Sequence, residues 1–341
     1  MHNVVIVGAG PAGLSAALAA AAAGAPVLLI DSNPRLGGQY WRMSSDDVGQ
    51  QGEQHFDLET GLILINAVKA RKEIEVLSGA QIWSATHKDG VNTLRVIQNG
   101  VEKIINTKNI VLCTGAYDRT LPFPGWDTPG VMTPGGVQSL LKGHGVLAGK
   151  KVVVAGSGPF LLPVAAGVVK AGGEVVELLE ANNSARWLLS PFVMLENVGK
   201  LKEAFYYIKT ISQAKVRARF ATAVIAAHKN SEGNLESVDV ATIRGNFKVK
   251  KVRNVKCDVA AVGWGFTADT SLAGALGCKQ IVAKDGGVVV SADGEQQSSI
   301  PGVFVAGEIT GIGGAELSMA EGVIAGINAA KFVGCKVEVL K

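Results

Sequence analysis

The residues best placed to do chemistry are three glycines close to the start of the chain. The β-branched run VVIV at residues 4–7 leads into Gly8, Gly10 and Gly13, and an Ala- and Leu-rich segment follows. This spacing between a strand and a helix suits the pyrophosphate of a dinucleotide, because backbone N–H groups and the positive end of the helix dipole face the phosphates. Asp31 lies 23 residues after Gly8, where a carboxylate can accept hydrogen bonds from a ribose. The residues predicted to form this site are Gly8, Gly10, Pro11, Ala12, Gly13, Asp31 and Ser32.

A second fingerprint begins at Gly156 and is incomplete. Gly156 and Gly158 are present, but Leu161 occupies the third glycine position, and its bulk should hold the helix further from the strand. Glu180 lies 24 residues after Gly156 and is followed by Ala-Asn-Asn, with no arginine to neutralise a 2′-phosphate. The second site is therefore predicted to take NAD(H) or another adenine nucleotide rather than NADP(H). Its predicted residues are Gly156, Gly158, Pro159, Glu180 and Gly263.

The two fingerprints open two similar halves of the sequence. The distance from Gly8 to Gly115 is 107 residues, and the distance from Gly156 to Gly263 is also 107. Two units of one architecture explain this spacing most simply. The apolar strand at 302–306 and the helix predicted from about 316 to 333 have no place in the second unit, so we assign them back to the first.

These patterns predict an α/β protein with two Rossmann-like dinucleotide-binding domains, the first of them discontinuous. The expected domains are residues 1–118 with 284–341, and residues 119–283.

Composition excludes several other functions. Lys and Arg number 33 against 29 Asp and Glu, with no basic block of the kind that follows a phosphate backbone, so we expect no nucleic-acid partner. The apolar stretch at 14–30 is broken by Gly24 and Pro26 and has no Lys or Arg before it. We therefore expect no membrane span, no signal peptide and a cytoplasmic location.

The four cysteines do not form a chemical motif. They are widely separated and contain no C-x-x-C, so neither a redox dithiol nor a metal site can be derived from them. No Ser/His/Asp set or carboxylate pair stands out either, and the catalytic residues stay unknown. The cysteines, interpreted as small buried side chains, are Cys113, Cys257, Cys278 and Cys335.

Further motifs resemble those of a known class. Gly37-Gly38-Gln39 resembles the glycine pair that passes an isoalloxazine ring, and Thr114-Gly115 resembles the strand end A-T-G, with Cys113 in place of alanine. Gly307-Glu308 resembles a G-D pair whose carboxylate binds the ribityl chain, and Ala315-Glu316-Leu317 falls where a last helix points at the flavin pyrimidine.

On these motifs the whole chain resembles the two-domain flavoproteins, such as thioredoxin reductase and glutathione reductase. The resemblance implies FAD in the first domain and a nicotinamide nucleotide in the second. Two departures are the Glu at 308 where the family has Asp, and the missing C-x-x-C, without which we expect no disulfide reductase activity.

A narrower resemblance covers the segments 33–41, 115–126, 129–133, 156–162 and 262–267. They are similar to the FAD-containing α subunits of opine oxidase, hydroxyproline dehydrogenase, heteromeric sarcosine oxidase and hydrogen cyanide synthase. That resemblance implies a partner, a second flavoprotein subunit that oxidises an amine or amino acid. Many members also carry a cysteine-rich segment for an iron–sulfur cluster, which this sequence lacks, so whether a small iron–sulfur subunit supplies it stays open.

Three functions follow as alternatives. The first is an FAD-dependent oxidoreductase acting as the α subunit of a heteromeric amine or amino-acid dehydrogenase or oxidase, relaying electrons from the partner. The second is a self-contained NADH:acceptor oxidoreductase with hydride transfer from NADH to FAD. The third is a non-catalytic scaffold subunit that binds a nucleotide.

Overall fold

The β-branched runs of the sequence form two parallel sheets in the computed structural model, which describes residues 3–43, 57–183, 198–244 and 248–336. The chain divides into two units. Of the described residues, the first unit contains 3–43, 57–117 and 267–336, and the second contains 118–183, 198–244 and 248–266.

The first unit opens with a parallel sheet and its helices. Before the crossing to the second unit its elements are β1 (Val4–Val7), α1 (Pro11–Ala22), β2 (Val27–Ile30), α2 (Leu58–Ala70), β3 (Ile74–Leu77), β4 (Ala80–Lys88), β5 (Val91–Gln98), β6 (Val101–Thr107) and β7 (Ile110–Leu112). The chain leaves this unit along β8 (Ala116–Asp118) and returns along β17 (Phe266–Ala268). After the return come α6 (Ser271–Leu276), β18 (Gln280–Val282), β19 (Val288–Val290), β20 (Val303–Val305) and α7 (Ala315–Phe332).

The second unit repeats this plan. Its elements are β9 (Val131–Met132), α3 (Pro134–His144), β10 (Lys151–Gly156), α4 (Leu161–Lys170), β11 (Glu174–Glu180), α5 (Val198–Gln213), β12 (Arg217–Phe220), β13 (Thr222–Lys229), β14 (Leu235–Arg244), β15 (Lys248–Lys256) and β16 (Val259–Gly263).

The first unit is built on a parallel sheet with the strand order β20-β7-β1-β2-β3. Strands β1, β2, β7 and β20 are buried throughout, as expected for a parallel sheet that is covered on both faces. One face packs against α1, α2 and α7, and the other packs against the antiparallel sheet β4-β5-β6 and against α6. Because Ala273 and Leu276 of α6 are buried in that second cluster, the segment that follows Thr267 belongs to the first unit. The chain therefore returns to the first unit at Thr267 and not at residue 284, the boundary predicted from the sequence.

Small residues bring α1 and α7 into close contact. A Cβ at Gly322 would lie 2.2 Å from the carbonyl oxygen of Ala12, and one at Gly326 would lie 2.3 Å from that of Ala16. The two glycines are four residues apart and so lie on one face of α7. This contact fixes the start of α1, which carries the first fingerprint, against the first half of α7.

The second unit has a parallel sheet with the order β12-β11-β10-β16-β9 and a three-stranded antiparallel sheet, β13-β14-β15. Helices α3, α4 and α5 pack on one face of the parallel sheet, and the antiparallel sheet packs on the other. Glu177 is buried in β11 and accepts a hydrogen bond from Arg253 Nη1 at 2.9 Å and one from Arg219 Nε at 3.4 Å. These bonds tie β12 and β15 to the centre of the unit.

The strand registers change which residues of the two halves correspond to one another. Val7 pairs with Leu112, so Gly8 lies opposite Cys113, whereas Gly156 pairs directly with Gly263. Gly263 is therefore the structural counterpart of Cys113. Gly115 corresponds to Gly265, two residues further along, and the repeat spans 105 residues in one unit and 107 in the other.

Neither a membrane helix nor a metal cluster is found in the described ranges. No helix there is long and apolar enough to cross a membrane. The same part of the chain contains no group of three His, Cys, Asp or Glu side chains that could hold a metal ion. The four cysteines are free thiols, and all except the half-buried Cys335 are buried.

Candidate functional site

The first glycine loop is shaped by contacts that exclude side chains. Gly8 has φ +98°, and a Cβ there would lie 2.2 Å from the carbonyl oxygen of Cys113. A Cβ at Gly13 would lie 1.7 Å from the oxygen of Gly8. Helix α1 begins at Pro11, directly after Gly10, and its N-terminus has neither a side-chain cap nor an acidic residue in its first turn. Its first amides are therefore available to an anion, as a pyrophosphate site requires.

Asp31 braces this loop from the end of β2. Its carboxylate is buried and accepts a hydrogen bond from the Ala9 N–H at 2.5 Å. The other carboxylate oxygen accepts the backbone N–H of Asn33 at 2.7 Å and its side-chain Nδ2 at 3.1 Å. Ser32, between them, is exposed. Asn33 is a residue whose part in the site the sequence analysis did not identify.

The Gly37-Gly38 segment lies directly against the first loop. Gly37 donates its N–H to the Ala9 carbonyl at 2.8 Å. A Cβ at Gly38, where φ is +63°, would lie 2.8 Å from the Cα of Gly10, so only glycine permits this approach. The exposed Gln39 side chain accepts a hydrogen bond from Arg42 Nη2 at 2.6 Å.

Thr114 and Gly115 are held by the chain segment after β17. The Thr114 hydroxyl donates to the Asp269 carbonyl at 2.5 Å, and the Gly115 carbonyl accepts the Asp269 N–H at 2.9 Å. Before them, the thiol of Cys113 is buried, and burial with the nearby Glu321 carboxylate raises its pKa far above the ordinary value. Cys113 is thus a packing residue beneath the glycine loop.

The Gly307-Glu308 turn leads towards α7. A Cβ at Gly307 would lie 2.9 Å from the Cβ of Ala12, so this turn lies beside the first turn of α1. Burial raises the pKa of the Glu308 carboxyl, against the opposing effect of a hydrogen bond from the Gly314 N–H. Helix α7 begins at Ala315. Its N-cap residue is Gly314, so no side chain caps the helix, and its first turn contains Glu316 and the half-exposed Leu317.

The structure thus brings three distant parts of the sequence around the start of α1. Gly38 approaches Gly10, Gly307 approaches Ala12, and Asp31 holds the Ala9 amide. These contacts are made largely by backbone, with glycine wherever a side chain would intrude. Together with an uncapped helix and a buried carboxylate, they fit the phosphates and ribose of a dinucleotide.

The second glycine loop has the same brace but a different helix start. A Cβ at Gly156 would lie 1.6 Å from the Gly263 oxygen, and Glu180 accepts the Gly158 N–H at 3.0 Å. Asn182 donates to the same carboxylate through its backbone N–H at 2.9 Å and through Nδ2 at 2.8 Å. Yet α4 begins only at Leu161, two residues after Pro159, the counterpart of Pro11. The Leu161 side chain is buried in the helix-side core.

A small pocket lies beside this second loop. Burial raises the pKa of Asp118, although the Thr133 hydroxyl and the Gly135 N–H, at 3.0 Å from Oδ2, both lower it. The Phe160 ring packs edge-on against Phe266, with 4.9 Å between the ring centroids. The residues around the pocket are Asp118, Pro134, Ser157, Phe160, Leu161, Gly263 and Gly265. Asp118 lies in the segment 115–126 of the narrower resemblance, but the sequence does not predict a role for its side chain.

Two units that each combine a glycine loop, a helix and a terminal carboxylate define a protein with two dinucleotide-binding domains. Residues 2–330 match the family described as pyridine nucleotide-disulphide oxidoreductase, and the chain belongs to that family. The predicted fold class is thereby confirmed, as is the predicted class of enzyme, an FAD-dependent oxidoreductase. FAD and a nicotinamide nucleotide are the cofactors of this class.

Relatives of known function confirm the narrower resemblance. The chain is 30% identical over 345 residues to an opine oxidase subunit of Agrobacterium tumefaciens (strain Ach5), covering 96% of this chain and 65% of that protein. It is 30% identical over 335 residues to hydrogen cyanide synthase subunit HcnB of Pseudomonas protegens, covering 96% and 70%. The chain thus spans less than two thirds of the opine oxidase relative.

Solved structures share the fold. L-proline dehydrogenase from P. horikoshii matches with a TM-score of 0.69 at 21% identity, over 99% of this chain and 56% of that one. Thioredoxin reductase from T. acidophilum matches with a TM-score of 0.68 at 19% identity, over 97% and 98%. At these identities the likeness concerns the fold alone.

Proposed function

We propose that this chain is the FAD-binding subunit of a heteromeric amine or amino-acid dehydrogenase or oxidase, and that it receives electrons from a partner flavoprotein subunit. The relatives named as subunits of opine oxidase and hydrogen cyanide synthase support this interpretation. The second unit then holds a nucleotide but does not drive the reaction.

The observation that carries the proposal is the difference between the two glycine loops. In the first unit α1 begins directly after Gly10, and in the second α4 begins two residues later at Leu161. The N–H groups at the start of α4 are already used, because Leu161 and Leu162 donate to the carbonyls of Gly158 and Pro159 and Pro163 has no N–H, which weakens the pyrophosphate site of the second unit. A strong dinucleotide site in the first unit beside a weaker one in the second favours an electron source other than NADH.

The FAD site is proposed along the contacts of the first unit. The start of α1 would hold the pyrophosphate and Asp31 a ribose, and Gly38 would leave room for the ring system. Glu308 would face the ribityl chain, and the positive end of the α7 dipole would stabilise negative charge on the ring system. When bound, FAD supplies the redox chemistry that no side chain here provides. The full proposed set is Gly8, Gly10, Pro11, Ala12, Gly13, Asp31, Ser32, Gly37, Gly38, Gln39, Thr114, Gly115, Gly307, Glu308, Ala315, Glu316 and Leu317.

The second site is proposed for NAD(H) or another adenine nucleotide. Glu180 is buried and held by the Gly158 N–H, so its carboxylate lies where it can accept a ribose hydroxyl and repel a 2′-phosphate. Gly158 has φ +106° and open space where a side chain would be, which leaves room for a ligand backbone to approach. The proposed residues are Gly156, Gly158, Pro159, Glu180 and Gly263.

The test is electron transfer from a partner. The full chain, loaded with an FAD analogue of shifted absorption, is mixed anaerobically with the flavoprotein that co-purifies with it, and opines, hydroxyproline, sarcosine and glycine are added in turn. We expect the analogue band to bleach only when both the partner and one of these substrates are present. A chain that purifies alone, and whose analogue band no partner and substrate can bleach, would contradict the proposal.

A second candidate function is a self-contained NADH:acceptor oxidoreductase. The observation in its favour is the intact brace at Glu180, which repeats the arrangement at Asp31. This candidate requires turnover by the single chain with NADH and a dye, without any partner.

A further inference from the structure

A carboxylate on α7 holds the turn that presents Glu308. Glu321 Oε2 accepts the backbone N–H of Gly307 at 2.8 Å, and the Thr310 hydroxyl lies 2.9 Å from the same oxygen. That hydroxyl also lies 2.8 Å from the Gly307 carbonyl but has a single proton to donate. The carboxylate is the stronger acceptor, so we assign the hydrogen bond of the Thr310 hydroxyl to Glu321.

This contact joins the flavin turn to the α1–α7 interface. Gly322, the next residue of α7, is the glycine whose Cβ would strike the Ala12 carbonyl. Gly307 is itself buried beside Ala12, and the Glu321 carboxylate is the acceptor that its N–H finds there. Glu321 therefore fixes the turn relative to the first turn of α1, where the pyrophosphate is proposed to bind.

The geometry points to Glu321 as a positioning residue for FAD, a role that no motif of the sequence assigns. It holds the Gly307-Glu308 turn through one shared oxygen and thereby sets where the Glu308 carboxyl stands. The inference rests on the proposed FAD site in the first unit. Glu321 itself need not touch the cofactor.

The test compares FAD affinity among variants of the full chain. Apoprotein is titrated with FAD, and the dissociation constant is obtained from the quenching of flavin fluorescence. Glu321→Ala leaves the buried Gly307 N–H without an acceptor, and we expect it to raise the FAD dissociation constant by about tenfold or more. Glu321→Gln keeps an acceptor oxygen at the same reach, so we expect rescue to within about threefold of the wild-type value.

Two further variants isolate the contact. Glu321→Asp keeps the charge but shortens the side chain, so it should weaken FAD binding more than Glu321→Gln does, and it serves if Glu321→Ala does not fold. Thr310→Val should weaken binding in the wild type but have no additional effect in Glu321→Ala, because both act through one oxygen. The matched control is Glu73→Gln, the same loss of charge at an exposed residue of the first unit.

The outcomes separate positioning from stability. A positioning role reduces the stabilisation that FAD adds to the protein, measured as the difference in Tm between holoprotein and apoprotein. If all Glu321 variants bind FAD as tightly as wild type while their apoproteins lose stability, the residue has only a structural role. The positioning role of Glu321 is then wrong, and the proposed function is unaffected. If the wild-type chain binds no FAD, the proposed function fails and the role of Glu321 fails with it.

Discussion

Asp31 and Glu180 each hold a glycine loop by accepting one of its backbone N–H groups. Each carboxylate also accepts two hydrogen bonds from the asparagine two residues later, Asn33 or Asn182. The loops are therefore fixed by the same residues that would meet a ribose. The pattern acid-x-Asn occurs after both fingerprints and is a local signal from which this brace can be found.

Replacing Asp31 tests this brace. Asp31→Asn puts an amide N–H₂ against the N–H groups of Ala9 or Asn33, so at least one charge-assisted bond is lost. At about 1.5–3 kcal/mol for such a bond, the FAD dissociation constant should rise by about 10- to 100-fold. The matched control is Glu180→Gln in the second unit, which should leave FAD affinity unchanged in the same titration. Equal effects of the two variants would contradict the assignment of FAD to the first unit.

Glu308 gives a prediction on pH. Burial raises its pKa, so the folded protein holds this proton more tightly than the unfolded chain does, and the free energy of unfolding falls as pH rises through the raised pKa. Glu308→Gln cannot ionise and lacks this loss. In FAD-free protein we expect the stability of Glu308→Gln relative to wild type to be greater at about pH 8 than at about pH 4.5. Urea unfolding at the two pH values measures it, and a difference that does not change with pH would be the contrary result.

At the scale of elements, the contact between α1 and α7 organises the first unit. The buried face of α7 consists of small residues, and two of them, Gly322 and Gly326, lie against carbonyl groups of α1. Nearly every residue of α1 that is buried is Ala, Gly or Ser. Side chains this small allow the two helices to approach until backbone meets backbone.

Gly322→Ala should force these helices apart. Its Cβ would lie 2.2 Å from the Ala12 oxygen, and overpacking of this kind costs about 1–3 kcal/mol. We expect a loss of that size in the free energy of unfolding by urea, together with weaker FAD binding. Gly294→Ala is the control, because a Cβ there meets nothing within 4 Å. If both substitutions cost the same, close packing is not what the glycine provides.

In the second unit, Glu177 of the parallel sheet connects that sheet to the antiparallel sheet through its hydrogen bonds with Arg253. Glu177→Gln leaves the guanidinium groups of Arg253 and Arg219 facing a neutral amide, and we expect a loss of about 1.5–3 kcal/mol in the free energy of unfolding. The comparison is Glu102→Gln, which breaks the exposed pair with Arg95 and should cost less than about 1 kcal/mol. Urea unfolding of both variants distinguishes them, and an equal cost would contradict a stabilising role for the buried Glu177 carboxylate.

The sequence predicts those features that depend on neighbouring residues. Local spacing predicts the two glycine loops, the carboxylates after the next strands and the parallel sheets. The structure has each of these features at the predicted place in the chain. Glu321 and Asp118 could not be found in this way, because their contacts join residues that meet only when the elements pack. The bulk of Leu161 predicts a more distant helix but not the late start of α4.

The division of the chain shows the same limit at the whole-molecule scale. The segment after Thr267 joins the first unit because Ala273 and Leu276 complete its core, a fact that depends on tertiary packing and not on a local signal. The pairing of Gly263 with Gly156 likewise depends on strand register, which a count of equal distances cannot fix. Architecture is therefore predictable from this sequence, and boundaries and register are not.

In the proposed function, electrons reach the FAD of this chain from a partner flavoprotein and not from NADH. The direct measurement is anaerobic stopped-flow mixing of the purified, FAD-loaded single chain with excess NADH, following the visible absorption of the flavin. We predict that the flavin stays oxidised on the timescale of catalytic turnover, while dithionite reduces it as a control. Rapid bleaching by NADH would contradict the proposal and would establish the chain as a self-contained NADH-dependent oxidoreductase.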